Sequence, residues 1–189
     1  MLRLFLPKSR GTPSEQSPPT VKKCRRFDYG TKCLAGNWGG PGKKNEETES
    51  DRYDEEAVFL GAFDENGFLA AFIRLIASPN PYMLDNEFSF LIGSSCDQIN
   101  RAGTGEISRL CVDPESRGTA VSYAGGDTII AMMIFKGLYL WCGINNISFL
   151  YAVTEPKTQR LFFMKGMPVF RLIHPPLFRI IHPPVPRPA

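Results

Sequence analysis

Glu106-Ile107-Ser108-Arg109-Leu110-Cys111-Val112, closed by Asp113-Pro114, is an apolar run that carries a glutamate and an arginine three apart. It reads as a β-strand that brings charge to a site. Residues three apart on a regular strand point to opposite faces, so Glu106 and Arg109 are expected to find separate partners. Two more charged clusters flank apolar runs upstream. Glu49-Ser50-Asp51-Arg52-Tyr53-Asp54 precedes the run Ala57 to Phe63, and Arg74 sits near the end of Phe68 to Ile76. Charges at strand ends face either solvent or a site, and three such clusters in fixed order favour a site.

Outward from that strand the elements follow by local chemistry. Asp64-Glu65-Asn66-Gly67 joins the first two apolar runs as a hairpin, because Asn-Gly supplies the positive φ angles such turns need. Ser78-Pro79-Asn80-Pro81 breaks the chain, and residues 82–103 read as an irregular connector. A helix is expected from Thr128 to Trp141 with Asp127 as its N-cap, then a strand from Ile147 to Val153. A second helix from Glu155 to Lys165 ends at Gly166, a suitable C-cap, and Val169 begins another strand. Hairpin, strand, helix, strand, helix, strand implies an α/β (α+β) domain with antiparallel and parallel pairing.

The domain is expected over 22–173. Residues 1–21 read as a flexible tail and 174–189 as a Pro-rich irregular tail. Phe170-Arg-Leu-Ile-His-Pro-Pro176 recurs as Phe178-Arg-Ile-Ile-His-Pro-Pro184, and each copy is expected to add at most a short edge strand, since Pro interrupts a ladder. His174 and His182, each before Pro-Pro, read as exposed tail residues.

With 189 residues, 43% apolar, the chain suits one domain with a normal core. A net charge of +3 is too mild to imply nucleic acid. The charge is uneven: Lys22, Lys23, Arg25, Arg26, Lys43 and Lys44 form a basic stretch that reads either as a docking surface for an acidic partner or as a solvated arm. Cys24, Cys33, Cys96, Cys111 and Cys142 are scattered, with no Cys-x-x-Cys. That fits reduced thiols in the cytoplasm better than a disulfide framework or zinc site, with Cys111 and Cys142 in the core. No transmembrane segment and no signal peptide are expected.

The Glu49-x-Asp51-x-Tyr53-Asp54 box, Arg74-Leu75, Glu106-x-Ser108-Arg109-Leu110 and Tyr151-Ala152-Val153-Thr154-Glu155-Pro156 with Arg160-Leu161 and Lys165-Gly166 resemble the acyl-homoserine-lactone synthases. The chain is also similar to their relatives, the long-chain N-acyl amino acid synthases and exosortase-associated acyltransferases. The resemblance runs from about Trp38 to Phe170 and implies a GNAT-like acyltransferase fold, a central mixed twisted sheet flanked by helices. It departs from the family at Gly105, where tryptophan is usual, and in its end, where the His-Pro-Pro repeat replaces a final strand. Glu115-Ser-Arg-Gly-Thr-Ala120 fits the pyrophosphate loop of ordinary GNAT enzymes poorly, which argues against a routine acetyltransferase.

The resemblance implies that the amine of S-adenosylmethionine attacks an acyl thioester on acyl carrier protein or coenzyme A. The product then cyclises to an acyl-homoserine lactone, a quorum-sensing signal, with loss of methylthioadenosine. The relatives without lactonisation, or an inactive relative that only binds acyl carrier protein, are the alternatives. S-adenosylmethionine and the acyl thioester enter as substrates, and no tightly bound cofactor or metal is expected.

The residue types agree with that chemistry. Glu106 suits the base that takes the amine's proton. Asp51 and Asp54 would hold the substrate's positive groups, and the resemblance adds Trp38. Arg74 and Arg109 would pair a substrate carboxylate or lock those acids in place. Backbone N–H groups near Leu110 to Val112 suit the oxyanion. Leu110, Val112, Met133, Trp141 and Phe149 are expected along the acyl slot.

Overall fold

The structure, a computed structural model, describes residues 3–5, 51–64, 66–92, 99, 101–118, 120–122, 127–167, 169–171 and 177–181. Nine strands and two α-helices are described: β1 (Arg3–Phe5), β2 (Ala57–Phe63), β3 (Leu69–Ala77), β4 (Thr104–Val112), β5 (Ala120–Ser122), β6 (Asp127–Ile129), α1 (Ile130–Ile144), β7 (Phe149–Val153), α2 (Pro156–Met164), β8 (Val169–Arg171) and β9 (Leu177–Ile181). Seven strands make one mixed sheet in the order β1-β2-β3-β4-β7-β9-β8, and β5 pairs with β6 apart from it.

The β2–β3 hairpin forms where Asn66-Gly67 predicted it. Gly67 takes φ +79°, and the Asp64 carboxylate accepts from the Asn66 and Phe68 amides. Alternation along these strands divides their side chains between two apolar layers. Leu60, Ala62, Ile73, Leu75 and Ile107 face α1 and α2; Phe59, Phe72, Ile76, Cys111 and Tyr151 face Tyr53, Tyr82 and Leu84. α1 offers the first layer a stripe at helical spacing, Ile130, Ile134, Leu138 and Trp141. Phe135 of α1 meets Phe162 of α2 edge to face, with centroids 4.8 Å apart. The second layer is roofed by the turn before β2 and by two short 3-10 turns, Met83–Asp85 and Ser89–Leu91, within the connector.

Four expectations need correction. The first helix begins at Ile130, because Asp127, expected as its N-cap, is spent in the β5–β6 ladder opposite Ser122. Residues 3–5, inside the expected tail, pair with β2. Leu177–Ile181, inside the stretch expected as irregular, is an interior strand between β7 and β8. Its five residues carry no proline, so the Pro pairs bound the strand instead of interrupting it. Cys111, expected as a reduced core thiol, is buried and disulfide-bonded to a partner outside the described residues, whereas Cys142 is free and buried. Linear spacing carries no information about such a pairing.

Gly105 now has a physical reason. A Cβ placed there would lie 2.8 Å from Leu75 Cδ1, 3.2 Å from Leu150 Cδ2 and 3.3 Å from the Ile76 carbonyl oxygen. No side chain fits between these two neighbouring strands as they stand. Gly105→Ala is therefore expected to destabilise the fold by about 1–3 kcal/mol through overpacking. Urea denaturation reads this, and an unchanged midpoint would contradict the packing described.

Candidate active site

The site grows from one buried charge. Arg74 lies on β3, 0% exposed, where its neighbours in the second layer are Phe72 and Ile76. A guanidinium taken out of water needs compensation at every donor. Its Nη1 donates to Asp51 Oδ1 and Oδ2 at 2.7 and 2.8 Å and to Asp54 Oδ1 at 2.6 Å. Its Nε donates to Ser108 Oγ at 2.9 Å, and its Nη2 lies 3.0 Å from Met83 Sδ.

The spacing of the two aspartates serves this arrangement. The Asp51 amide donates to Asp54 Oδ2 at 3.2 Å, while Asp51 Oδ1 accepts from the Tyr53 amide at 2.9 Å. Acids three apart thus close a turn on themselves, much as a capping box does. Arg52 and Tyr53 tie that turn to Glu87, Arg52 through a 2.8 Å ion pair and Tyr53 through a short hydrogen bond.

Arg109 reaches the same cluster by a route that strand periodicity does not contain. β3 and β4 pair Arg74 with Ser108 and Phe72 with Cys111, so Ile73 faces both Arg109 and Leu110. That is a β-bulge, and Arg109 holds φ +52° within it. The bulge turns Arg109 onto the face of Glu106 and Ser108, where its Nη2 donates to Asp51 Oδ2 at 2.9 Å. Left-handed backbone at a non-glycine residue costs on the order of 1–3 kcal/mol, which the surrounding network holds in place. Burial pushes the Asp51 carboxyl up, but Arg74 and Arg109 outweigh it and hold it at about 2.

Glu106 is 2% exposed. Its Oε2 accepts from the Met83 amide at 2.6 Å and its Oε1 from the Leu84 amide at 3.2 Å. Burial raises its pKa to about 7 against the opposing pull of those amides and of Arg74, with Asp85 adding to the rise. It therefore gains and loses its proton near neutrality.

β4 and β7 are parallel but pair only from Thr104 to Ile107 opposite Phe149 to Ala152. Beyond Ile107 they part, and a small cleft opens between them. Its walls include Ile107, Ser108, Leu110, Phe135, Val153 and Phe162. Arg109 and Leu110 form the bulge at this parting, and both line the cleft.

The structure thus brings together Asp51, Asp54, Arg74, Glu106 and Arg109. Arg74 and Asp54 are buried against each other, and neither side chain reaches the surface. Asp51 keeps 29% of its side chain exposed. Leu110 lines the cleft, but Val112, Met133 and Trp141, expected there too, pack in the core under α1, and Phe149 is half-buried elsewhere on β7. Trp38, Lys22, Lys23, Arg25, Arg26, Lys43, Lys44, His174 and His182 lie outside the described residues. The amides of Met83 and Leu84 carried no sequence signal, because any residue supplies an N–H.

The autoinducer synthase family matches residues 42–178. An acyl-homoserine-lactone synthase of Vibrio anguillarum is 31% identical over 69% of this chain, and the match spans 65% of that protein's length. A CoA-dependent acyl-homoserine lactone synthase, BjaI, with SAM and isopentyl-CoA, superposes with a TM-score of 0.69 at 16% identity, covering 88% of this chain and 78% of that one. A GNAT-family acetyltransferase of Staphylococcus aureus superposes with a TM-score of 0.53 at 11% identity over 97% of this chain and 100% of that one. The fold is GNAT-like.

Removing one member of a buried ion pair strands the other, at a cost of about 3–5 kcal/mol. Arg74→Leu is expected to lose that much by urea denaturation. Arg52→Ala, which breaks the exposed pair to Glu87, is expected to leave the urea midpoint nearly unchanged. Equal losses in the two variants would contradict the central role given to Arg74.

Proposed function

The chain belongs to the autoinducer synthase family, and we propose that it is an N-acyltransferase joining a thioester-borne acyl group to the amine of S-adenosylmethionine. The product is an acyl-homoserine lactone, a quorum-sensing signal made in the cytoplasm. The observation that carries this reading is the juxtaposition of two features across β4. On one face lies the Asp51–Arg74–Arg109 network with Glu106 beside it, and at the parting of β4 from β7 lies the apolar cleft.

Each part has a task. The cleft takes the acyl chain against Leu110, Phe135 and Phe162, with the thioester at its polar rim of Ser108 and Arg109. Asp51, partly exposed and held ionised, attracts the substrate's cationic end. Arg109 both orients Asp51 and brings a positive charge to the rim for the substrate carboxylate. Glu106, whose pKa of about 7 matches working pH, accepts a proton from the ammonium through a water. The freed amine then attacks the thioester carbon, backbone N–H at the bulge meets the developing oxyanion, and the C–S bond breaks as the thiol leaves. In the second step the substrate carboxylate displaces methylthioadenosine from the carbon next to the sulfonium and closes the lactone.

Coenzyme A is the donor favoured by the likeness to BjaI, whereas acyl carrier protein is favoured by the basic run from Lys22 to Lys44. Purified protein given S-adenosylmethionine and either acyl-CoA or acylated carrier protein is expected to release methylthioadenosine and an N-acyl lactone, both read by mass spectrometry. An N-acylated amine formed with no methylthioadenosine would replace this acceptor by a plain amino acid, and no acylated amine with either donor would sink the reading. Glu106→Gln is expected to lower turnover by about 100-fold or more. As pH falls below about 7 the base form of Glu106 is lost, so turnover should fall about tenfold per unit there and level off above. A profile flat from pH 5 to 8 would remove Glu106 from the proton transfer.

A further inference from the structure

Glu106 is gripped by a turn, and the turn itself is anchored to the strand that carries Glu106. The turn Met83–Asp85 presents the Met83 and Leu84 amides to the two carboxylate oxygens. Tyr82 stands immediately before it, 0% exposed, with its hydroxyl 2.8 Å from Thr104 Oγ1. Thr104 opens β4 two residues before Glu106 and shares its face. The direction of that hydrogen bond follows from proton counting. Thr104 has one hydroxyl proton, and its Oγ1 lies 2.6 Å from the Arg101 carbonyl oxygen, which can only accept. The Tyr82 hydroxyl is therefore the donor to Thr104. At its other end the turn is closed by Asp85, whose Oδ2 accepts from the Tyr82 amide at 2.9 Å. Two bonds at Tyr82, one through its side chain and one through its main chain, thus set where the Met83 and Leu84 amides point.

We propose that Tyr82, through its hydrogen bond to Thr104, is a positioning residue that holds two backbone amides on Glu106 and so sets how readily that carboxyl ionises. This deepens the acyltransferase reading above and rests on it for its role in turnover. The groups facing Glu106 are Arg74 from β3, Asp85 and Tyr82 from the turn and Tyr151 opposite it on β7, with Asp51 and Asp54 beyond Arg74. Arg74 is fixed by its own partners. The turn is held to β4 by the tyrosine–threonine bond, beside the Met83 Sδ contact to Arg74 Nη2 and the buried Leu84 side chain, so deleting that bond frees its Tyr82 end. Loosening that bond withdraws N–H donors from the charged form of Glu106 and makes it harder to ionise.

The test reads the Glu106 carboxyl directly by ¹³C NMR titration of the full chain without substrate, with Glu106→Gln identifying its resonance. Tyr82→Phe keeps the ring in the core and deletes the donor, and Thr104→Val deletes the same bond from the other side, so either variant that folds carries the readout. Each is expected to raise the Glu106 midpoint by about half to one pH unit, while Thr104→Ser, which keeps the hydroxyl, leaves it in place. The acid limb of turnover should move with the midpoint. A midpoint that stays put in a folded Tyr82→Phe or Thr104→Val protein overturns the proposal. Because the titration needs no turnover, an inactive protein would sink the acyltransferase reading while leaving this one standing or falling on the midpoint alone.

Discussion

A guanidinium with no access to water is the constraint from which the site follows. Arg74 projects from the middle of the sheet into an apolar layer, and only carboxylates can make that tolerable. Asp51 and Asp54 are drawn over the sheet to meet it, bringing Tyr53 with them as part of the roof. Ser108 and Met83 take the remaining donors from two further directions. The pairings thus stitch together the turn before β2, the strand β3, the bulge in β4 and the connector. Four separate segments thus hold one another's polar groups in fixed register around the guanidinium.

The bulge in β4 makes the second half of the site possible. One extra residue on that strand turns Arg109 toward the acids, and just before it the strand stops pairing with β7. The same short stretch therefore delivers a positive charge to one face and opens a greasy slot along the other. A charged surface and an apolar one are thus set side by side along a single strand.

Much of this was legible in the sequence, for identifiable reasons. The hairpin follows from Asn66-Gly67, and the strands follow from apolar runs of fitting length. That Asp51, Arg74, Glu106 and Arg109 converge was readable from charges placed beside those runs. Which acid pairs with which base was not, because pairings between residues twenty to sixty apart depend on register. The Arg109 bulge defeated the rule of alternation that set Arg109 and Glu106 on opposite faces. The grip on Glu106 by the Met83 and Leu84 amides was invisible, since main-chain donors leave no trace in side-chain identity. Asp127 looked like a helix cap because its type suits one; tertiary pairing of β5 with β6 took precedence. Apolar residues of α1 could be assigned to the interior but not to one side of it, so Met133 and Trp141 belong to the core and not to the slot.

The insertion of β9 between β7 and β8 bears on the cleft in a further way. Ala152 and Val153 form part of its wall, and on their outer side they stand opposite Phe178 and Leu177 in the β7–β9 ladder. The wall is thus braced from behind by a segment some way down the chain, enclosed on both flanks by other strands. That wall cannot give way without carrying its backing strand along, so the width of the slot is set jointly by β7 and β9.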